Sequence, residues 1–266
     1  MKTESRLVRA SLPLLALCLA WAAPAVAGQQ CIESLGRLPA GQPLAGELEI
    51  LSWNIQKASN PGWQKDLQAL AGGVQLAFIQ EASLQAGIPD LLPPELVEVF
   101  AQGYTTASME TGVMTLGRAS PSLHCTFSAD EPWLGTPKAA SIAEYALEDR
   151  KERLLTINLH AVNFSFGVKP LEAQLAELLA VLSHHDGPVI VAGDLNTWSD
   201  SRQRLVQQSL ASHGLAALVF EPDLRSQAFG RALDHIYVRG LQALSAEVIP
   251  VDSSDHNPLR ARLKVQ

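Results

Sequence analysis

The sequence predicts an α/β domain whose sheets are covered by helices. Two observations predict it. From Glu47 onward, short apolar runs alternate with longer stretches of helical period. The clearest of those stretches, Pro170 to Ser183, puts Leu171, Leu175, Leu178, Leu179 and Leu182 on one face. With 266 residues, 47% of them hydrophobic, the chain is long and apolar enough for one large domain with a full core, and a disordered chain is excluded. It contains no internal repeat and no low-complexity linker.

The first 27 residues differ from the rest. Lys2, Arg6 and Arg9 form a positive start, Leu12 to Ala23 is an apolar run interrupted by Pro13, and Ala25-Val26-Ala27 is a small-x-small cleavage pattern. The pattern resembles a secretory signal peptide over residues 1–27, with a mature start at Gly28 and an exported protein, periplasmic or secreted. An uncleaved membrane anchor is the alternative, although the apolar run falls short of the roughly 20 residues a spanning helix needs. Leu17 before Cys18 argues against a lipoprotein site. Removing the leader leaves 17 basic and 26 acidic residues, a net charge of −9. Such a domain is repelled by polyanions unless metal ions or a local patch intervene, and no Lys/Arg-rich run marks a nucleic-acid footprint. Of the three cysteines, Cys31 and Cys125 remain. In an oxidising compartment they either pair or stay as two free thiols.

Residues 28–46, rich in Gly, Pro and Gln, read as an extended segment that wraps the surface, and residues 47–266 as one folded domain. The predicted strands are Leu48–Trp53, Leu76–Ile79, Gly112–Leu116, Ser141–Leu147, Leu154–Leu159, Val189–Ala192, His235–Val238, Glu247–Val251 and Pro258–Leu263. Pro170 suits a first helical turn, Gly187-Pro188 separates that helix from the next strand, and Ser201 to His213 reads as a second, weaker helix.

Several strand ends carry polar residues that a core does not need. Val189-Ile190-Val191-Ala192-Gly193-Asp194-Leu195-Asn196 delivers a carboxylate and an amide two positions apart, which in an extended chain face the same way. Trp53-Asn54, Gln80-Glu81, His160 with Asn163, Asp234 and Ser254-Asp255-His256 end or begin other strands. Each alone reads equally well as a turn former, a solvated carboxylate or a core histidine. Their order along the chain makes the stronger signal, because ligand sites in α/β folds gather at strand ends.

That ordered set resembles the endonuclease/exonuclease/phosphatase superfamily, which includes deoxyribonuclease I, abasic-site endonucleases, inositol-polyphosphate 5-phosphatases and bacterial sphingomyelinases. The stretches around His160 and Gly112-Val113-Met114-Thr115-Leu116 are also similar to an uncharacterised bacterial subgroup. The resemblance implies a four-layer α/β/β/α fold, a two-sheet β-sandwich flanked by helices. It also implies metal-assisted cleavage of a phosphoester P–O bond. Asn54 and Glu81 would then hold Mg²⁺, with Mn²⁺ or Ca²⁺ as substitutes, and Asp255 would touch a metal; such hard ions prefer oxygen ligands. His256 would be the base that activates water, oriented by Asp234. Asp194 and Asn196 would hold water or phosphate in line, with a share in deprotonation left open. His160 would donate to a phosphoryl oxygen, and Asn163 would contact substrate. Lys138 and Arg231 are further candidate phosphate contacts, each equally readable as a surface cation.

The reaction expected is Mg²⁺-dependent phosphodiester hydrolysis, as a nuclease or on a lipid or small molecule. A phosphomonoesterase, a sphingomyelinase-like lipid phosphodiesterase and a non-catalytic binding protein on the same fold are the alternatives. No protein partner is implied, and a monomer is expected. Trp63, Trp133 and Trp198 lie in or near predicted loops, where they would pack, stack bases or meet lipid.

Overall fold

A parallel β–α–β crossover in each half of the chain organises the fold. The computed structural model describes residues 27–266, so the expected leader lies outside the described residues except for the backbone of Ala27. After helix α1 (Ala27–Ser34), strand β1 (Glu47–Asn54) leads through helix α2 (Trp63–Ala71) into β2 (Leu76–Ser83), which pairs with β1 in parallel. The hairpin β3 (Val97–Thr105) and β4 (Glu110–Gly117) extends that sheet. The meander β5 (Leu123–Asp130), β6 (Pro137–Tyr145) and β7 (Leu154–His160) starts a second sheet. Helix α3 (Lys169–Leu182) then crosses to β8 (Val189–Asp194), parallel to β7. Helix α4 (Asp200–Ala211) and the two-residue strands β9 (Ala216–Ala217), β10 (Gln227–Ala228) and β11 (Arg231–Ala232) lead to β12 (Asp234–Arg239). The hairpin β13 (Leu241–Val248) and β14 (Leu259–Val265) returns to the first sheet.

The first sheet has the order β13-β14-β1-β2-β4-β3 and the second β5-β6-β7-β8-β12-β9. Between them, Ile50, Phe78 and Ala261 meet Tyr145, Ile190 and Ile236 in one apolar layer. On the outer face of the first sheet, α2 packs Trp63, Leu67 and Leu70 against Leu51, Ile79 and Met114. On the outer face of the second, α1, α3 and α4 cover Ile157 and Val191 with Cys31, Leu171, Leu175, Leu178 and Val206. This is the expected four-layer arrangement. Strands buried on both faces, such as β7 and β8, are apolar almost throughout.

The elements that the sequence hid are the half-exposed ones. Strands β3, β5 and β13 lie at or near sheet edges, where long stretches face solvent and no apolar run forms. Of the strand predicted at Glu247–Val251 only Glu247 and Val248 belong to β13, which begins at Leu241 and ends at Val248. Helix α2 is nine residues long, with only Trp63, Leu67, Leu70 and Ala71 buried. Trp63 is therefore a packing residue. The segment 28–46 is less extended than expected. Its first part is α1, and Cys31 is joined to Cys125 of β5 by a disulfide across 94 residues, with Cα atoms 6.0 Å apart. Leu44 is buried and bridges to Leu147.

Candidate active site

The ends of β1, β2, β7, β8 and β12 meet at one end of the sandwich, around an open cleft of about 560 Å³. Strand register does most of the assembly. Asp194 is the Cα partner of His160 on one side and of Asp234 on the other, so three polar side chains stand abreast on adjacent strands. Asn54 pairs with Gln80 in the facing sheet, one residue before Glu81. Glycine permits the close approach behind Asp194: Gly193 has φ +143°, and a Cβ there would sit 2.0 Å from the Leu159 carbonyl. Glu81 is aimed by a bulge. The β2–β4 register shifts between Ile79 and Ala82, and Glu81 itself has φ +50°. A non-glycine residue in that region stores strain that is common at functional sites.

Asp194 is the hub. Its Oδ2 accepts from Asn54 Nδ2 at 3.1 Å, and it stands 3.6 Å from His160 Nε2 and 3.9 Å from His256 Nε2. Its Oδ1 accepts from the Asn196 backbone N–H at 3.0 Å. The expected alternation therefore stops at Asp194. Asn196, at φ +48°, reaches the site through an Asx turn rather than an extended strand, and its Nδ2 donates to Ala161 O at 2.9 Å. Asp234 Oδ2 lies 2.7 Å from His256 Nδ1, and both are buried. Ser254 Oγ donates to Asn54 O at 2.7 Å, and Trp53 Nε1 donates to His256 O at 2.9 Å, which ties the Ser254–His256 turn to the end of β1.

Charge in the cleft is unevenly held. Burial alone would push the His256 imidazole down, but the Asp234 carboxylate and its hydrogen bond, with Asp194 and Asp255, outweigh it and raise the pKa to about 10. Burial lifts the Asp194 carboxyl to about 6, against the pull of His256 and with the push of Asp234. Burial, then Lys138, His256 and Lys57, drives His160 well below its usual range. The carboxylates around His256 favour its charged form and couple any proton transfer by it to Asp194, 3.9 Å away. Lys138 Nζ, which has only donors, lies 2.8 Å from His160 Nε2, so that nitrogen is occupied as an acceptor. Lys138 therefore brings a positive charge beside His160, where a phosphoryl oxygen was expected to be met.

Lys138 is thus a cleft residue and not a solvated lysine. It is held 3.7 Å from Glu131, a buried carboxylate that also accepts from Asn163 N at 3.0 Å and Thr136 Oγ1 at 2.9 Å. The Asn163 side chain accepts from Trp198 Nε1 at 2.9 Å, and Asn163 lines the cleft. Asp255 lines it too, on its exposed side. Arg231 does not: it is bound to Asp200 and to Gln203 on α4, so the substrate contact expected of it is not supported. Sequence reading missed Glu131 and Lys57. The first directly follows β5, an edge strand that had no apolar run to announce it. The second pairs with Glu81 at 3.5 Å. It also missed Arg202, buried on α4, whose guanidinium holds Asn196 O, Val162 O and Ser165 Oγ, fixing the two loops that carry Asn163 and Asn196.

Two ligand sets fit a divalent ion. Asn54, Glu81 and Asp255 offer hard oxygen donors to the open cleft. Asp194, Asp234 and His256 each offer a ligand atom within 4.8 Å of the others. In the second set the close His256–Asp234 hydrogen bond already occupies one donor and one acceptor, and in the first Asn54 Oδ1 already accepts from Gln56 N at 3.1 Å.

A sequence model described as the Endonuclease/Exonuclease/phosphatase family matches residues 51–256. The chain belongs to this family. A UPF0294 protein of Vibrio vulnificus is 41% identical over 235 residues, covering 86% of this chain and 80% of the relative. A UPF0294 protein of Photorhabdus laumondii is 39% identical over 234 residues, covering 84% and 86%. Among solved structures, an endonuclease/exonuclease/phosphatase of Bacteroides vulgatus superposes with a TM-score of 0.64 at 16% identity, over 83% of this chain and 99% of that one. ANGEL2, a 2′,3′-cyclic phosphatase, gives 0.64 at 13% identity over 82% and 95%. At those identities the structural likeness shows a shared fold. As an endonuclease/exonuclease/phosphatase protein, the chain is of a phosphoesterase lineage.

Proposed function

We propose that the protein is a Mg²⁺-dependent phosphodiesterase that hydrolyses a P–O bond by attack of an activated water. The observation that carries this reading is the convergence of Asn54 and Glu81 from one sheet with His160 and Asp194 from the other around His256 in one cleft, with Asp234 bonded behind that imidazole. A non-catalytic binding protein would not need a buried Asp–His pair beside a second carboxylate and an amide. Asn54, Glu81 and Asp255 would hold the ion, which when bound neutralises phosphate charge and stabilises the leaving oxygen.

The side chains supply the rest. Lys138, held by Glu131, pairs with a non-bridging phosphoryl oxygen. Asn196 and Asn163 fix the phosphate in line, which is most of what phosphoryl transfer asks of a protein. The Asp194–His256 pair acts as one unit that takes the water proton as the new O–P bond forms and returns a proton to the departing alcohol; Asp234 fixes the imidazole. The diester is preferred over the monoester because, before an ion binds, the cleft carries Lys57, Lys138 and His256 against Glu81, Glu131, Asp194 and Asp255. That balance suits a monoanion better than a dianion. The leader-like N-terminus together with the Cys31–Cys125 disulfide supports export to an oxidising compartment.

The test is turnover of bis-p-nitrophenyl phosphate against p-nitrophenyl phosphate, with Mg²⁺ titrated. Glu81→Gln is expected to shift the Mg²⁺ midpoint, whereas His256→Ala lowers kcat and leaves the midpoint in place. Identical metal titrations in both variants would remove Glu81 from the ion, and an inert wild type would end the reading.

A further inference from the structure

The mouth of the cleft carries an apolar lip that phosphate chemistry does not require. Trp133 and Leu134, each 57% exposed, form the tip of the loop between β5 and β6. Phe164, 53% exposed, and Phe166, 82% exposed, lie on the segment between β7 and α3. Tyr104, at the end of β3, completes the rim. Leu134, Phe164 and Tyr104 line the cleft itself, and Trp133 is locked to Phe166 with ring centroids 4.1 Å apart. Five of the 12 exposed large hydrophobic residues among the described residues therefore stand around one opening. Single exposed apolar side chains need no explanation, but a cluster beside a binding cleft marks a contact surface.

The chemistry of the lip selects its occupant. A single-stranded nucleic acid needs a basic track for its flanking phosphates and free ring faces for its bases. In the cleft Lys57, Lys138 and His256 stand among four carboxylates rather than along a basic track, and the chain from residue 28 on has a net charge of −9. Trp133 and Phe166 meet edge to face at 66°, so they form a wedge rather than a parallel slot, and Leu134 has no π face. Protruding Trp, Phe and Leu side chains on adjacent loops match the interfacial zone of a bilayer, which takes apolar groups with an amphipathic indole among them. We infer that this lip docks on a lipid surface of zwitterionic headgroups, and that the substrate class is a lipid phosphodiester whose phosphate enters the cleft while its apolar part stays at the lip. The excess of acid disfavours anionic membranes. This inference deepens the proposed phosphodiesterase reading and rests on it.

The experiment is sedimentation of the purified protein with sucrose-loaded phosphatidylcholine vesicles in EDTA, which reads docking without turnover. Wild type is expected to partition onto the vesicles, and Trp133→Ser/Phe166→Ser to lose at least about tenfold in partition coefficient, from the apolar area withdrawn. Val219→Ser, which alters an exposed apolar residue that does not line the cleft, is expected to partition as wild type does. No wild-type partition, or equal partition of the double variant, overturns the inference. So does binding of an oligo-dT strand that quenches tryptophan fluorescence and is lost in the same double variant, since the lip would then stack bases. Turnover of soluble bis-p-nitrophenyl phosphate by wild type is measured in parallel. Its presence without vesicle binding sinks the lipid inference alone, and its absence sinks the reaction.

Discussion

Asp234→Asn tests the centre of the site with almost no change of shape. Asp234 Oδ2 lies 2.7 Å from His256 Nδ1, both groups are buried, and the carboxylate is the main opponent of burial at that imidazole. Asparagine keeps an acceptor oxygen but removes the charge. A hydrogen bond to a charged group contributes roughly 1.5–3 kcal/mol. At about 1.4 kcal/mol per factor of ten, kcat should fall about 10- to 150-fold. KM should change little, because Asp234 does not line the cleft. Stability supplies a second readout. The folded imidazole has its pKa raised from 6.5 to about 10. The stabilisation is therefore fully present below pH 6.5 and is lost as pH rises through about 10. Wild type should lose urea resistance over that window, and Asp234→Asn should show a flatter curve. The assays are bis-p-nitrophenyl phosphate kinetics and urea melts from neutral to alkaline pH. A kcat within threefold of wild type together with parallel pH curves would refute the coupling.

Three further expectations follow from other parts of the structure. Glu131→Gln sets an amide against the three donors around it and should raise KM for the diester about tenfold, consistent with roughly 1.5 kcal/mol for a charged hydrogen bond; in a Lys138→Met background the same change should do little, and equal effects in both backgrounds would sever Glu131 from Lys138. Cys31→Ser opens a loop spanning 94 residues, for which chain entropy gives about 4–5 kcal/mol, so its urea midpoint should drop and added reductant should no longer shift it. His235 is buried and its pKa is lowered to about 4 by burial and by Arg225, so the fold should lose stability as pH falls from 6.5 towards 4, by about 3 kcal/mol in all at about 1.4 kcal/mol per unit. His235→Phe should flatten that acid limb in urea melts, and an unchanged limb would mean other groups control it.

What could be read in the sequence was whatever is buried on both sides. Strands β7 and β8 and helix α3 announce themselves because their partners demand continuous or periodic apolar surface. The strand-end residues Asn54, Glu81, His160, Asp194 and Asp234 could be found for a related reason: a polar residue directly after such a run is out of place. Glu131 obeys the same rule, but β5 did not show itself as a strand, so its end could not be inspected. Lys138 and Arg231 looked alike in sequence, as cations near strands. Only the tertiary fold separates them, one turned to His160 and the other to Asp200. Arg202 gave no signal, since an arginine in a polar helix ordinarily faces solvent. Protonation was beyond sequence altogether, because burial and then Lys138 push His160 down while Asp234, Asp194 and Asp255 push His256 up.

The two sheets bring different halves of the site, so their relative position has to be held. An apolar interface alone does this poorly, because hydrophobic contact is non-directional. The seam contains two polar clamps near the cleft. Asn54 Nδ2 reaches across to Asp194 at 3.1 Å. Beneath it, Gln80 Nε2 donates to Asn158 Oδ1 at 2.7 Å, and Asn158 Nδ2 donates to Met114 O at 2.9 Å. The second clamp includes a cost, since Gln80 Oε1 is buried without a partner. An unpaired buried acceptor disfavours the fold by roughly 1–3 kcal/mol, so plain stability does not account for a glutamine at that point. Position does. Gln80 immediately precedes Glu81, at the bulge that aims it, and its amide fixes that bulge to the strand that ends in His160. A slip of one sheet on the other would break directional bonds here, whereas leucines in their place would let it slide. The polar pair is best understood as the register pin that keeps the Glu81 half of the site at a fixed distance from the Asp194 half.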